Sequence, residues 1–481
     1  MHIKKKSERG ITIVVLVITI IVLIILATVS INAVLGDNGL IQSAKNSRDS
    51  AENSIEQETG KMNSLLTEYA NVMAEDAEIT EPGEGGGDNP GGGDEPKPGD
   101  PIDGTLAVGP QVADGMTPVK YVSGIGWVKT TETDTEWYNY GEKKWANVVL
   151  GDATFNPSGS YEVLDETKTY SMLVWIPRYA YKITSGYHTS TAGNIDIVFL
   201  DTTNRDKDGI DYSSKTVYPS ATTGSGMSDY VIHPAFTIFT FGANELSGFW
   251  VGKFETSNNG GKIQIKGGVQ SWRSISVNDI HNTCIGMNEN DNSFGLSTED
   301  SVVDPHMMKN TEWGAVAYLS QSIYGKNGEV TMNDNTSYYT GGGNETLYRT
   351  NVGQSTTGNV TGIYDMSGGA YEYVAGYCNA SNASDYASSL INADTRYKNM
   401  YLSYTAPNSG GLYGDAVYET SSGSGASSWY GNDSTFVDSG TPFFERGGHY
   451  LGFYTGIFAF GRRAGYGSDT NSFRVVIPVI Q

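Results

Sequence analysis

The sequence predicts an α+β protein in three parts: a long N-terminal transmembrane helix, a disordered Gly/Pro-rich linker and a loop-rich domain. Three observations predict these parts. An apolar run from Ile11 to Ile31 follows a basic leader. Residues 81–104 are nearly all Gly, Pro, Asp and Glu. From Thr105 onward, short strand-like stretches alternate with Gly, Asn and Ser turns, which favours many short strands joined by loops.

The N-terminal run predicts a transmembrane helix over residues 11–35, behind a basic leader over residues 1–10. About 21 apolar residues rise roughly 30 Å as a helix, the thickness of the hydrocarbon core of a bilayer. The basic residues of the leader hold the N-terminus inside, so the rest of the chain is predicted to be extracellular. A cleaved secretory signal peptide is the alternative. The length of the run and its β-branched residues from Ile11 to Ile25 favour the anchor.

Gly10 lies directly between the charged leader and the apolar run, an arrangement that resembles the type IV prepilin class. The resemblance implies that a peptidase cuts after Gly10, that Ile11 becomes the methylated N-terminus, and that residues 11–35 pack against other pilin-like subunits and the membrane. The family usually has Glu at the fifth mature position, where this chain has Val15. Minor pilins at filament tips share that departure, so a tip subunit is expected. A plain membrane-anchored surface protein is the alternative.

Residues 36–80 predict an amphipathic helix, because apolar residues recur at spacings of three, four and seven. A short stalk coiled coil is the alternative. The linker over residues 81–104 has too little apolar surface to fold and predicts a flexible tether. The apolar positions of the helix are Ile55, Met62, Leu65, Leu66, Tyr69, Val72 and Met73.

Beyond the linker we expect a small β module over residues 105–165 and a main domain over residues 166–481. Strand patterns occur at 173–176, 195–200, 249–254 and 474–477. The one convincing helix is predicted over residues 310–324, with an apolar face formed by Trp313, Val316, Ala317, Leu319 and Ile323.

Several motifs in the main domain resemble the sulfatase-modifying-factor family, which includes the formylglycine-generating enzymes, and they follow the family order. The resemblance covers roughly Tyr170–Gln481 and implies a C-type-lectin-like fold with a twisted antiparallel sheet, two helices and long loops. The matching segments are 172–177, 249–256, 308–320, 358–373 (with Gly-Ile-Tyr-Asp-Met-Ser-Gly at 362–368), Arg446-Gly447-Gly448 and 472–476.

The catalytic residues of that family are missing from the matching positions, so we expect no enzyme activity. Formylglycine-generating members use a pair of cysteines after the Arg-Gly-Gly motif, and no cysteine lies between Arg446 and Phe473. The iron-dependent members use clustered histidines, and the six histidines of this chain show no ligand spacing. Cys284 and Cys378 predict either one disulfide or two buried thiols. An enzyme of the sulfatase-modifying type remains the alternative.

A scaffold without catalytic groups can still bind a ligand, and this fold also resembles the variable proteins of diversity-generating retroelements. That resemblance implies diversified ligand contacts near the C-terminus. The candidate contacts mix aromatic, basic, acidic and small residues, as antibody-like binding surfaces do. A solvated loop with a few core aromatics is the alternative. The candidate ligand-binding residues are His449, Leu451, Phe453, Tyr454, Thr455, Arg462, Arg463, Tyr466, Ser468 and Asp469.

Calcium is the one cofactor suggested by the sequence. Asp206, Asp208 and Asp211 have the alternate spacing of an EF-hand-like loop, but the closing Glu is replaced by Lys215. A solvated Asp-rich turn is the alternative. The family also binds calcium through an Asn and a Glu, where this chain has Gly369 and Glu372.

The net charge of −23 excludes a nucleic-acid partner, since phosphates demand basic surfaces. The sequence therefore predicts a cell-surface or pilus-tip adhesin that binds an extracellular protein or glycan without catalysis. A structural minor pilin with no specific ligand is the other alternative.

Overall fold

The computed structural model describes residues 96–237, 245–344, 347–379, 383–401, 412–425, 427–452 and 455–480. The predicted basic leader, transmembrane helix and amphipathic helix lie outside the described residues, as does most of the predicted linker. Within the described ranges, no helix has the length and apolar character needed to cross a bilayer. The fold is a loop-rich mixed domain, mostly β-sheet with a few short helices.

Nineteen strands and three α-helices are found in the described residues. The helices are α1 (Val277–Ile285), α2 (Asn310–Gln321) and α3 (Ser388–Asn392). The strands are β1 (Met116–Val122), β2 (Gly126–Lys129), β3 (Asn147–Leu150), β4 (Phe155–Ser158), β5 (Tyr161–Leu164), β6 (Met172–Pro177), β7 (Tyr179–Ile183), β8 (Ile195–Phe199), β9 (Val231–Ile232), β10 (Gly248–Gly252), β11 (Ser257–Asn259), β12 (Lys262–Gln264), β13 (His306–Met307), β14 (Tyr371–Cys378), β15 (Asn399–Tyr401), β16 (Phe443–Arg446), β17 (Phe460–Arg463), β18 (Asn471–Phe473) and β19 (Val475–Ile477).

A nine-stranded antiparallel sheet forms the larger half of the domain, in the order β13-β19-β10-β6-β3-β1-β2-β5-β4. Its central strands β6 and β10 are short apolar runs with every residue buried, as expected for strands covered on both faces. The four predicted strands are confirmed as β6, β8, β10 and β19. Because β3 pairs with β6, the predicted module boundary at residue 165 falls within this sheet.

The end of the predicted linker is docked on this sheet rather than free. The backbone N–H of Ile102 donates to the Tyr138 hydroxyl at 3.1 Å. The Asp103 carboxylate accepts from the backbone N–H groups of Tyr140 at 2.7 Å and Leu106 at 3.0 Å. These contacts make residues 102–104 part of the folded unit.

The helix predicted over residues 310–324 is α2, and it ends three residues earlier. Ser322 caps its C-terminus, so Ile323 lies beyond the helix and is 64% exposed, which corrects the predicted apolar face. All twelve residues of α2 are buried, so the helix has no face exposed to solvent. Helix α1 was not predicted, although Ser276 caps it by accepting from the Asp279 N–H at 3.2 Å, the first half of a capping box.

A second, five-stranded sheet carries the C-terminal segment. Its order is β15-β14-β16-β17, and β18 pairs in parallel with β14. After β18 the chain passes through Arg474 into β19 of the nine-stranded sheet. The last thirty residues therefore connect both sheets, and the loops between β16 and β18 emerge from a fixed frame.

Candidate functional site

Two buried arginines hold the frame beneath the C-terminal loops. Arg446 is fully buried, and its guanidinium donates to the carbonyls of Ala459, Asp415 and Ala416 at 2.9–3.0 Å and to the Asn310 amide oxygen at 2.8 Å. The Arg446-Gly447-Gly448 motif thus anchors the start of the segment. Four apolar residues of the C-terminal segment are buried as well: Ile457, Phe458, Phe460 and Phe473.

Arg474 anchors the end of the segment through a buried ion pair with Glu372. The Nε and Nη2 atoms of Arg474 lie 3.1 and 2.6 Å from the two carboxylate oxygens of Glu372. Further donors reach the carbonyls of Gly252 at 2.7 Å and Tyr364 at 3.0 Å. Burial raises the pKa of Glu372 to about 6 despite the opposing effect of Arg474. Both carboxylate oxygens of Glu372, the residue considered above as a calcium ligand, are bonded to Arg474.

Four aromatic side chains contact one another above this frame, and we call them the aromatic row: Tyr338, His449, Tyr450 and Tyr371. Tyr338 is buried, and the other three are half-buried. His449 is central, because its Nε2 lies 2.8 Å from the Tyr338 hydroxyl and its ring stacks on Tyr371 with centroids 5.5 Å apart. The Tyr450 ring is 4.3 Å from that of His449. Burial and the charge of Arg463 lower the pKa of His449, so the imidazole is neutral at neutral pH.

An arginine lies at each end of the aromatic row. The Arg273 guanidinium is 4.0 Å from the centroid of the Tyr338 ring, and that of Arg463 is 6.0 Å from Tyr371. Both distances are within the range of cation–π attraction. The row therefore combines flat apolar rings with charged ends, the composition expected of a recognition surface.

A small cavity of about 90 Å³ opens beside Tyr371. We call it the Glu445 cavity, after the carboxylate in its wall. Its other lining residues are Tyr371, Asp433, Gly448, Gly452, Thr455, Ala459, Phe460 and Gly461.

Some of the predicted binding residues have exposed side chains, whereas others have side chains bonded within the fold. Leu451 is 66% exposed and Tyr466 is 40% exposed. The Thr455 hydroxyl closes its own loop, donating to the His449 carbonyl at 2.9 Å and accepting from the His449 N–H at 3.2 Å. Phe453 and Tyr454 lie outside the described residues.

Arg462 and Arg463 do not form the single basic patch that their adjacency suggests. They are consecutive on β17, so their side chains point to opposite faces of the sheet. Arg463 pairs with Glu445, with Nε to Oε2 at 3.1 Å. Arg462 pairs with Asp438 at 2.5 Å on the other face.

Asp469 lines a second, open cavity of about 450 Å³, and Ser468 is its neighbour in the chain. Their backbone is fixed, since the Ser468 carbonyl accepts from the Ser274 N–H at 2.7 Å and the Asp469 carbonyl from Arg273 at 2.6 Å. The Ser468 hydroxyl contacts Thr470 at 2.9 Å. Trp272 lies in the wall of the same cavity.

Sequence reasoning missed Tyr338, Arg273 and Trp272, and assigned Tyr371 only to a motif. These residues are contributed by segments 70 to 200 positions away from the C-terminal loops. No spacing in the sequence indicates that they meet His449 and Asp469, because only the pairing of the sheets brings them together.

The aspartates of the proposed calcium loop are engaged in local contacts. Asp206 accepts from the N–H groups of Asp208 and Ile210 at 3.0 and 2.9 Å. Asp211 accepts from the Ser213 N–H at 2.8 Å. Within the described ranges, no group of three or more His, Cys, Asp or Glu side chains is placed to hold a metal ion.

The cysteines are placed as buried residues rather than as reactive ones. Cys284 is a free, fully buried thiol in α1, and burial raises its pKa. Cys378 is buried at the end of β14. A free Cys284 decides against the disulfide alternative.

No protein-family model matches this chain, and no curated protein is significantly similar to it.

Proposed function

We propose that this protein is a cell-surface or pilus-tip adhesin that binds an extracellular ligand, without catalysis, through the C-terminal face of a C-type-lectin-like domain. The apolar helix over residues 11–35 would anchor it in the membrane or a pilus-like filament. The linker would let the domain reach away from that anchor.

The aromatic row is the observation that carries the proposal. Three members of the row, Tyr371, His449 and Tyr450, are half-buried, and such rings supply rigid contact area at low entropic cost. Leu451 and Tyr466 extend this surface with exposed apolar area. The frame below is fixed by Arg446 and Arg474, so loop residues can vary without disturbing the fold.

The finer fold assignment rests on the resemblance to the sulfatase-modifying-factor family. Its motif arginines, Arg446 and Arg474, lie at the two ends of the C-terminal segment and are both fully buried. The missing cysteines favour binding over oxidation chemistry in this scaffold. Structures of the family would have to share the strand order given above for this assignment to hold.

The test of the proposal is binding of the full-length protein, in detergent, to a panel of cells. Leu451→Asp places a charge on an apolar residue of the face that is 66% exposed, and we expect it to abolish binding. Ile323→Asp is the matched control, because Ile323 is 64% exposed and lies outside the face. Equal binding by both variants and the unchanged protein, or binding to no cell at all, would favour a structural minor pilin instead.

The N-terminal part of the proposal has its own measurement. Cleavage after Gly10 would leave a mature chain that begins at a methylated Ile11, and intact-mass analysis of the protein from its native membrane would show it. A chain that keeps the leader would count against the prepilin assignment, and a plain membrane anchor would then be the explanation.

Diversification is tested in the DNA beside the gene. We expect a near-copy of the codons for residues 449–469 next to a reverse transcriptase, differing from the gene mainly at adenines. If neither is present, the ligand face has a fixed sequence.

A further inference from the structure

Among the described residues, nothing donates a hydrogen bond to one of the two carboxylate oxygens of Glu445. Its Oε2 accepts from Arg463 Nε at 3.1 Å and from Asn471 Nδ2 at 2.9 Å. No hydrogen bond to Oε1 is found among the described residues, and the side chain, only 9% exposed, lines the Glu445 cavity. The Oε1 atom faces the cavity, where a ligand that donates to it would form a charge-assisted hydrogen bond.

The rest of the cavity wall offers the Asp433 carboxylate and the Tyr371 side chain, whose hydroxyl can donate or accept. Asp433 is exposed at the rim, accepts from the Thr435 hydroxyl at 3.1 Å and forms no ion pair within the described part of the chain. The Thr455 hydroxyl is occupied by His449. Three glycines line the wall without side chains.

The local charge balance is negative. Glu445 and Arg463 cancel, His449 is neutral at neutral pH, and Asp433 leaves one unbalanced negative charge. The whole chain carries −23. A cationic donor can contact both the Oε1 atom of Glu445 and the rim carboxylate.

We propose that the Glu445 cavity binds a primary ammonium group, the end of a lysine side chain on the surface of a protein partner. A volume of about 90 Å³ holds roughly three water-sized groups, which suits an ammonium and its nearest methylenes better than a sugar ring. The acidic surface would also speed the approach of a basic protein. This inference rests on the proposed adhesin function and names its ligand class.

The first experiment measures binding of the full-length protein in detergent to a surface coated with butylammonium groups, against one coated with butanol groups. We expect Asp433→Asn to weaken binding to the ammonium surface about tenfold, the loss that follows from one charge-assisted contact of about 1.4 kcal/mol. Gly461→Ala should weaken it as well, because the added Cβ would lie 3.0 Å from Glu445 Oε1.

A protein of this net charge is attracted to any cationic surface, so the comparison is between variants of equal charge. Asp196→Asn is the matched control, since Asp196 is exposed on β8, outside the cavity. Binding that both cavity variants keep, or that the butanol surface matches, would overturn the proposal. The proposal would also be overturned if the protein bound a glycan-coated surface and Asp433→Asn abolished that binding.

A second arm separates this inference from the function on which it rests. Cells that bind the protein are acetylated, which converts lysine ammonium groups into neutral amides. We expect binding to be lost. If binding survives acetylation but is abolished by Leu451→Asp, the adhesin function stands and the ammonium ligand is wrong. If the unchanged protein binds no cell, the function itself is wrong.

Discussion

Two arginine–glutamate pairs lie in neighbouring parts of the C-terminal frame, and they differ in burial and in how many carboxylate oxygens are bonded. Arg474 and Glu372 are 0% and 1% exposed, and both carboxylate oxygens are bonded to the guanidinium. Arg463 and Glu445 are 31% and 9% exposed, and only one carboxylate oxygen is used within the described residues. The first pair has both carboxylate oxygens bonded, and we call it the complete pair. The second, the incomplete pair, leaves Oε1 of Glu445 without a hydrogen bond from a described residue.

The difference follows from where each pair lies in the sheets. Arg474 is at the crossing between β18 and β19, where backbone carbonyls of Gly252 and Tyr364 surround it. Arg463 is at the end of an edge strand, where loops rather than strands cover it. A buried pair must satisfy all its donors and acceptors, while a pair at a sheet edge can leave one open.

Breaking the complete pair should have the largest effect on stability. Glu372→Gln leaves the Arg474 guanidinium buried without its countercharge, and we expect a loss of about 3–5 kcal/mol in the free energy of unfolding. Urea unfolding followed by tryptophan fluorescence measures it. The double variant Glu372→Gln, Arg474→Met also removes the guanidinium that the single variant leaves without its hydrogen-bonded carboxylate, so the loss should be smaller than the sum of the single losses. Additive losses would show that the two residues act independently.

A third buried glutamate extends the comparison to pH. Glu312 accepts from the Lys309 N–H at 2.7 Å and from His306 at 2.9 Å. Burial alone would raise its pKa, but Lys309 and His306 together lower it to about 2. A lowered folded pKa adds stability above the unfolded value of 4.5, and that stability is lost as the pH falls from 4.5 towards 2. Glu312→Gln should lower the free energy of unfolding by about 2–3 kcal/mol at pH 7. It should also make the stability depend less on pH between 2 and 4.5, which urea unfolding midpoints measured from pH 2 to 7 would show. If the stability of the variant fell with decreasing pH as steeply as that of the unchanged protein, the lowered pKa of Glu312 would be contradicted.

The sequence indicated the strands better than it indicated the site. Runs such as 173–176 are apolar enough to define buried strands by themselves, and β6 lies there. Helix α2 was recognised by its apolar content, but its end was not, because Ile323 continues the pattern and only the Ser322 cap stops the helix. Arg462 and Arg463 look alike in sequence, and the alternation of β17 gives them opposite surroundings. Tyr338 and Arg273 reach the site through tertiary pairing, which no local pattern encodes.

Removing the charge from the incomplete pair should affect binding more than stability. Arg463→Gln removes a half-exposed ion pair, so we expect a loss of only about 1 kcal/mol in the free energy of unfolding. Burial already raises the pKa of Glu445, and Arg463 opposes that rise. Without Arg463 the pKa of Glu445 rises further, and protonation ends its attraction for an ammonium group at a higher pH.

The measurement is binding to the butylammonium surface as a function of pH. Binding is present above the pKa of Glu445 and lost as the pH falls through it, so Arg463→Gln should shift the loss to higher pH. A pH profile identical to that of the unchanged protein would show that Glu445 does not contact the ammonium group.

The smallest effect is expected from the neighbouring residue on the opposite face of β17. Arg462 pairs with Asp438, and both side chains are about 40% exposed, so solvent and salt screen their attraction. Arg462→Gln should cost at most about 0.5 kcal/mol. It should leave the pH profile of ammonium binding unchanged, because the strand itself separates Arg462 from Glu445.

Arg462→Gln and Arg463→Gln change the net charge equally, so any difference between their pH profiles of ammonium binding measures the position of the charge alone. Equal shifts in both would mean that the long-range field of the acidic domain attracts the ammonium group, without a specific contact to Glu445.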